Sequence, residues 1–279
     1  MTGSALRRRL KTEYETQEGV RFFSEKALLF ALLEKRGLPR DYLILKGGED
    51  LDDSFCEAFL SDAARLLAGE PLQYYLGTAP FWGFDFLAAP EVLIPRPDTE
   101  TLVRKAAEIV PENALVFDFC CGSGCVGLAL LMERPDLSAV LFDLSQAALS
   151  LTKRNIERFA LSGRAFAEQL DVLTPAAREA ILSRRPSLVL TNPPYLTALE
   201  MECLPENVKR EPSLALAGGE DGLLFYRAFA ALCRETGTPF LAEIGWTQGA
   251  AVLEILRETG LSGTICRDEG GRDRAVLFP

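Results

Sequence analysis

The chain contains no histidine among its 279 residues. Serine-histidine-aspartate and cysteine-histidine catalysis are therefore excluded, as is any metal centre built on imidazole ligands. The seven cysteines are an odd number, scattered through apolar contexts without a C-x-x-C pair. That speaks against a disulfide framework and a zinc site, and a reducing cytoplasm is the expected setting. Long apolar runs are missing as well. None approaches the roughly 18 residues of a membrane span, and the basic start SALRRRLKTEYETQEG has no apolar segment behind it to make a signal peptide; it reads as an amphipathic helix. Nor is there an excess of basic charge. A net charge of −10 disfavours nucleic acid as a partner, and neither a membrane nor a lipid anchor is expected.

With 48% hydrophobic residues, the chain can bury a substantial core, as one large domain or two ordinary ones. Residues 1–78 predict a small helical domain: FFSEKALLFALLEKRG and DSFCEAFLSDAARLLAGE carry helical apolar spacing and are separated by the turn-rich KGGEDLDD. Residues 79–95, which include FWGFDFLAAPEVLI, predict a short β-hairpin linking two domains. PRPDTETLVRKAAEIV then opens a helix, with Asp98 or Thr99 as its N-cap. From Ala114 the apolar segments ALVFDF, AVLFD, FAEQLD, SLVL and PFLAEI alternate with helices such as QAALSLTKRNIERFA and LLFYRAFAALCRE. This alternation predicts an α/β domain over residues 96–279, with a parallel sheet covered on both faces. The tail, TICRDE and RAVLFP around GGRDR, predicts an antiparallel edge hairpin.

The first strand runs into DFCCGSGCVGLAL. Gly122, Ser123 and Gly124 lie between strand and helix, where missing side chains let a ligand approach the backbone and the helix N-terminus. Gly127 completes a literal G-x-G-x-x-G, and Asp143 ends the next strand near the roughly 20-residue offset of a dinucleotide fingerprint. A nicotinamide or flavin enzyme fits that pattern. S-adenosylmethionine fits it too, because its ribose diol can donate two hydrogen bonds to one carboxylate. Asp118, in a D-x-x-x-G-x-G arrangement, and Asp171, placed for an adenine edge, favour the methyl donor.

The strand SLVL ends in TNPPYL. Two consecutive prolines remove two backbone donors and fix φ, so the strand must stop at a rigid corner. That corner lies at the carboxyl end of a strand, where open α/β sheets bind ligands. The Asn192 side-chain oxygen and the Pro193 carbonyl are two fixed acceptors that can grip one NH₂ group. Tyr195 can stack on a planar substrate group or face a positive charge. An amide or an exocyclic amine is such a group, and either could be methylated without a strong general base.

The segments GEPLQYYLGTAPFWGFDF, VLIPRPDTETLV, NPPYL, REPSLALAGGEDGLLFYR, AEIGWTQGAAV and GRDRAV, in this order from about Gly69 to the end, resemble the HemK/PrmC family of protein-(glutamine-N5) methyltransferases. The resemblance implies a Rossmann-like class I methyltransferase domain with a small N-terminal helical domain. It also implies methyl transfer from S-adenosyl-L-methionine to the glutamine of the Gly-Gly-Gln loop in class I peptide chain release factors, with the helical domain helping to recognise them. The cofactor would be held by Asp118, Cys120, Cys121, Gly122, Ser123, Gly124, Asp143, Asp171, Val172 and Asn192. Asn192, Pro193 and Tyr195 would carry the reaction, Pro194 would help line the glutamine pocket, and Arg96 and Pro97 would form part of its rim. The alternative is an adenine-N6 nucleic-acid methyltransferase, which would use the same acceptor pair. Two departures stand out. Cys120 and Cys121 replace the family's usual Gly-Thr, so a left-handed backbone at the first would be strained by roughly 1 kcal/mol, and Val172 replaces an aromatic found beside the adenine in some members. Glu220 and Asp221 read as a helix cap, and no metal is assigned.

Overall fold

A computed structural model describes residues 1–16 and 23–279. The part of the N-terminal helical reading that falls on residues 17–22 lies outside the described residues. The chain separates into two compact units, Met1–Thr78 with Pro205–Arg210, and Ala79–Leu204 with Glu211–Pro279.

The first unit is built from α1 (Gly3–Thr16), α2 (Glu25–Glu34), α3 (Tyr42–Leu45), α4 (Asp53–Leu67) and α5 (Leu72–Leu76). Ser24 caps α2 by accepting from the Ala27 N–H, and Asp52 caps α4 by accepting from Ser54 and Phe55. Such caps satisfy donors that the first turn leaves unpaired. Leu6, Leu10, Leu28, Leu32, Phe59 and Leu66 form the core. Residues 205–210 were expected with the α/β domain, yet they cluster here; the Arg210 guanidinium donates to the Ala68 carbonyl at the end of α4.

The second unit opens with the hairpin β1 (Thr78–Phe81) and β2 (Phe84–Leu87). Trp82 and Gly83 turn it with positive φ at both positions, the twist that two-residue hairpins favour. The hairpin is more than a linker: Phe81 and Phe86 are buried in this unit's core. The helix α6 (Glu100–Ile109) follows a short 3₁₀ turn at Pro97–Thr99, and neither Asp98 nor Thr99 caps it through a side chain.

Among the described residues, seven strands form one sheet. In chain order they are β3 (Leu115–Phe119), β4 (Ser138–Asp143), β5 (Ala165–Gln169), β6 (Leu188–Thr191), β7 (Phe240–Glu243), β8 (Thr264–Arg267) and β9 (Asp273–Phe278). Their spatial order is β5-β4-β3-β6-β7-β9-β8, parallel from β5 to β7 and antiparallel through β9 and β8. Of the terminal hairpin only β8 is the edge. Side chains alternate by two along each strand, so Val116, Leu141 and Leu190 pack on one face, and Phe117, Phe142 and Val189 on the other.

The first face is covered by α6, α7 (Cys125–Glu133) and α8 (Gln146–Arg158), the second by α9 (Pro175–Arg184), α11 (Leu224–Thr236) and α12 (Gly249–Glu258). A short α10 (Ala198–Glu202) carries a capping box between Thr197 and Glu200. The second core is unusually aromatic, with Phe229, Phe240 and Phe278 stacked at 5.5 Å centroid spacing. Each such ring contributes roughly 1.5–3 kcal/mol by burial. The strand order reverses between β3 and β6, so the loops that follow these two strands flank a crevice at the sheet's carboxyl edge.

Candidate functional site

The loop after β3 is shaped by its own backbone and gripped from behind by α8. Cys120, Gly122 and Gly124 have φ of 56°, 57° and 80°, a left-handed run that only glycine adopts without cost. The strain anticipated at Cys120 is therefore present. Thr152 donates to the Gly122 carbonyl at 2.9 Å, and Asn155 donates to the Ser123 carbonyl at 2.9 Å while accepting from the Leu87 N–H. Both α8 residues are fully buried. Neither was singled out from sequence, since a Thr and an Asn within an amphipathic helix give no signal of what lies opposite.

Asp118 and Asp143 anchor the two ends of this loop. Asp118 is buried on the α7 side of β3, and its Oδ2 accepts from the Gly127 N–H at 2.9 Å. A Cβ on Gly127 would stand 2.9 Å from that same oxygen, so the last glycine of the G-x-G-x-x-G serves close packing. Burial pushes the Asp118 carboxyl up to about 7, opposed by the Gly127 hydrogen bond and reinforced by the charge of Asp143. Asp143 accepts from Gly122 and Ser145 N–H groups, each at 2.8 Å, and burial raises it against those bonds.

The loop and both acids line a cavity of ≈ 340 Å³. Arg96, Asp118, Cys120, Cys121, Gly122, Ser123 and Asp143 line it together with Asp171 and Val172 after β5 and Asn192 and Pro194 after β6. The anticipated residues Pro97, Gly124, Pro193 and Tyr195 are outside its lining. Burial also pushes the Cys120, Cys121 and Cys125 thiols upward, most of all by removing them from water. An upward shift disfavours the thiolate that a nucleophile needs.

The Asn-Pro-Pro-Tyr corner is held on three sides. Leu196 exchanges backbone hydrogen bonds with Leu216 and Gly218 at 2.9 and 2.8 Å, and Gln248 donates to the Tyr195 carbonyl at 2.9 Å. Asn192 Nδ2 donates to Thr99 Oγ1 at 3.3 Å, which leaves its Oδ1 as the free acceptor. The Tyr195 hydroxyl donates to Glu243 Oε1 at 3.4 Å. Opposite the corner, buried Glu211 accepts from the Ile94 N–H at 3.1 Å and pairs with Arg96, which joins the loop before α6 to the segment after residue 210. Glu211, Gly218, Glu243 and Gln248 carry no assignment from sequence, and Thr99 reads there only as a helix cap, although the Gly-Gly pair at 218–219 is a visible hint of a close approach.

Asp221 accepts from the Leu223 N–H and pairs with Arg227, at the start of α11. Among the described residues, no cluster of three or more Cys, Asp or Glu is arranged to hold a metal, and no helix is long and apolar enough to cross a membrane.

Comparison with known proteins adds three findings. The Methyltransferase small domain family matches residues 98–209, and the PrmC N-terminal domain family matches residues 24–77. The release factor glutamine methyltransferase of Geobacter sulfurreducens is 36% identical over 264 residues, covering 93% of this chain and 89% of that protein; the one from Clostridium botulinum is 37% identical over 213 residues, covering 74% of each. The solved hMettl16 catalytic domain, in complex with MAT2A 3′UTR hairpin 6, shares the fold with a TM-score of 0.55 at 16% identity, covering 71% of this chain and 75% of that one.

Proposed function

The chain belongs to the release factor glutamine methyltransferase family, and from that membership we propose that it methylates the side-chain amide nitrogen of the glutamine in the Gly-Gly-Gln loop of class I peptide chain release factors. The observation that carries the reading is the orientation of Asn192, whose Nδ2 is occupied by Thr99 and whose Oδ1 is left to accept at the cavity that the glycine loop also lines.

The residues fit S-adenosyl-L-methionine. A Cβ added at Gly122 would meet nothing nearer than Val92 Cγ1 at 3.8 Å, so the backbone of the loop is open to a ligand. Asp143 keeps a second lone pair on each oxygen beyond its two backbone bonds, enough for a ribose diol; Asp171 and Val172 border the region suited to the adenine. When bound, the cofactor supplies an electrophilic methyl group. Asn192 Oδ1 accepts from one hydrogen of the substrate amide and turns its nitrogen toward the donor, and the Pro193 carbonyl, which follows Asn192 but stands outside the cavity lining, is the acceptor expected for the other once the substrate is seated. Gripping those hydrogens also opposes the delocalisation that makes an amide a poor nucleophile. Pro194 borders the same space, and the Arg96–Glu211 pair braces the rim from which the glutamine enters.

Positioning carries the rate, with no histidine needed to act as base. The net charge of −10 argues for a protein rather than a phosphate backbone as substrate surface. A cytoplasmic reaction agrees with seven cysteines that are all unpaired. The test is to incubate the protein with labelled S-adenosyl-L-methionine and, separately, an unmodified release factor and duplex DNA. Label on the Gly-Gly-Gln glutamine, located by peptide mass spectrometry, is expected; label on adenine alone, or none on the release factor, refutes the reading.

A further inference from the structure

Glu243 is a buried carboxylate that touches the Asn-Pro-Pro-Tyr corner through Tyr195. It ends β7, whose Ala242 is in register with Thr191 of β6, so it stands beside the start of the Asn-Pro-Pro-Tyr corner. The residue is 1% exposed. One oxygen, Oε1, accepts from Tyr195; the other, Oε2, is buried without a partner at ordinary hydrogen-bond distance. A buried carboxylate oxygen is costly to leave without a donor. The cations nearby do not supply one: Arg274 attracts Glu243 electrostatically, but its guanidinium pairs with Asp98 at 3.1 Å and Asp268 at 3.3 Å. Tyr226 donates to the Glu243 backbone carbonyl, not to its side chain.

Thr99 is the neighbour with a proton to give. It is 1% exposed, its hydroxyl favours the charged form of the same carboxylate, and it lines the cavity. Its Oγ1 already accepts from Asn192 Nδ2, so the hydroxyl proton must point elsewhere.

We propose that Glu243 and Thr99 are positioning residues for methyl transfer: the carboxylate takes the Thr99 hydroxyl proton, so that Thr99 can only accept from Asn192, and it holds Tyr195 from the other oxygen. The consequence is chemical. An amide side chain can turn over and exchange its oxygen and nitrogen. With the Thr99 proton committed to Glu243, the turned-over Asn192 would set its oxygen against a lone pair and is disfavoured. Without that commitment Thr99 can donate to Asn192 Oδ1, which leaves the NH₂ of Asn192 facing the NH₂ of the substrate, two donors opposed. The inference rests on the methylation reading, since orienting an acceptor matters only if an amine is to be gripped.

Protonation of Glu243 would have the same effect as removing it. Burial raises this carboxyl to about 7; Thr99, Arg274 and Tyr195 pull it down and Asp98 pushes it up. Methylation should therefore fall as pH drops through about 7, where the neutral acid becomes a donor.

The test is single-turnover methylation of an unmodified release factor by wild type, Thr99→Val, Thr99→Ser and Glu243→Gln, between pH 5.5 and 8.5, alongside S-adenosyl-L-methionine affinity and thermal unfolding. Thr99→Val, nearly equal in shape, is expected to lose roughly 10- to 100-fold in the methylation step with cofactor affinity unchanged. Thr99→Ser, which keeps the hydroxyl, is expected to restore most of it, and Glu243→Gln to be slower and to lose the acid limb of the pH profile. If wild type methylates but Thr99→Val is as fast, or Glu243→Gln keeps the acid limb, the proposal fails while the function stands. If wild type leaves the release factor unlabelled, the parent reading fails first.

Discussion

Gly218 offers the sharpest test of how tightly the Asn-Pro-Pro-Tyr corner must be placed. A Cβ added there would stand 2.7 Å from Tyr195 Cα, 2.8 Å from Tyr195 C and 2.9 Å from the Pro194 carbonyl oxygen. All three are backbone atoms and cannot swing aside as a side-chain end would. Ordinary contact between such atoms is about 3.5–4.0 Å, so Gly218→Ala requires the corner or its neighbour to move by close to 1 Å. The hydrogen bonds joining Leu196 to Leu216 and Gly218, with Gln248 behind Tyr195, spread that displacement through the corner. A shift of about 1 Å at a positioning group costs about 10²-fold in rate, or about 2.7 kcal/mol of barrier. Overpacking adds roughly 1–3 kcal/mol of lost stability.

The assay is single-turnover methylation of an unmodified release factor, with cofactor affinity by calorimetry and unfolding by thermal scan. Gly218→Ala should turn over about 100-fold more slowly, bind the cofactor within a few-fold of wild type, and unfold at a lower temperature. Gly163→Ala is the control, since its Cβ would have nothing within 4 Å. A Gly218→Ala enzyme that turns over within about twofold of wild type would refute the steric reasoning.

Three further outcomes are expected. Asp143→Ala removes the acceptor of the Gly122 and Ser145 N–H groups and should weaken S-adenosyl-L-methionine binding by at least about tenfold in calorimetry, as loss of a charged hydrogen-bond acceptor implies; an unchanged Kd would remove Asp143 from the cofactor site. Asp118, raised in the folded state to about 7 against about 3.9 in the unfolded chain, contributes stability fully present below pH 4 and lost as pH rises through 7, on the order of 4 kcal/mol in all. Denaturant titrations should therefore show Asp118→Asn gaining on wild type between pH 5 and pH 8, and parallel pH profiles would contradict the assignment. Alkylation followed by mass spectrometry should modify exposed Cys203 well before buried Cys121 and Cys125; early labelling of those two would mean that the loop opens in solution.

Much of the site could be read from local chemistry. Consecutive prolines end a strand wherever they occur, and glycines between an apolar strand and a helix mark a left-handed loop; both arguments need only adjacent residues. The seven strands are legible as short apolar runs alternating with helical ones, because strands covered on both faces need no polar side; that residues 205–210 cluster with the helices is not legible, since Arg210 donates to the Ala68 carbonyl more than a hundred positions earlier. Asp98 and Thr99 looked like caps because an acid and a hydroxyl before a helix usually are. In the fold Asp98 pairs with Arg274 and Thr99 meets Asn192.

The sequence by itself pointed to the class of chemistry, through the absence of histidine and the presence of a rigid Asn-Pro-Pro-Tyr corner after a glycine loop and a spaced acid. These depend on composition and on covalent geometry over a few residues. Only the tertiary structure decided which groups aim that corner. Thr99, Gly218, and the pair Glu243 and Gln248 come from three separate segments that are brought together at the carboxyl end of β6, and nothing in any one segment specifies the lone pair, proton or contact distance it will meet in another.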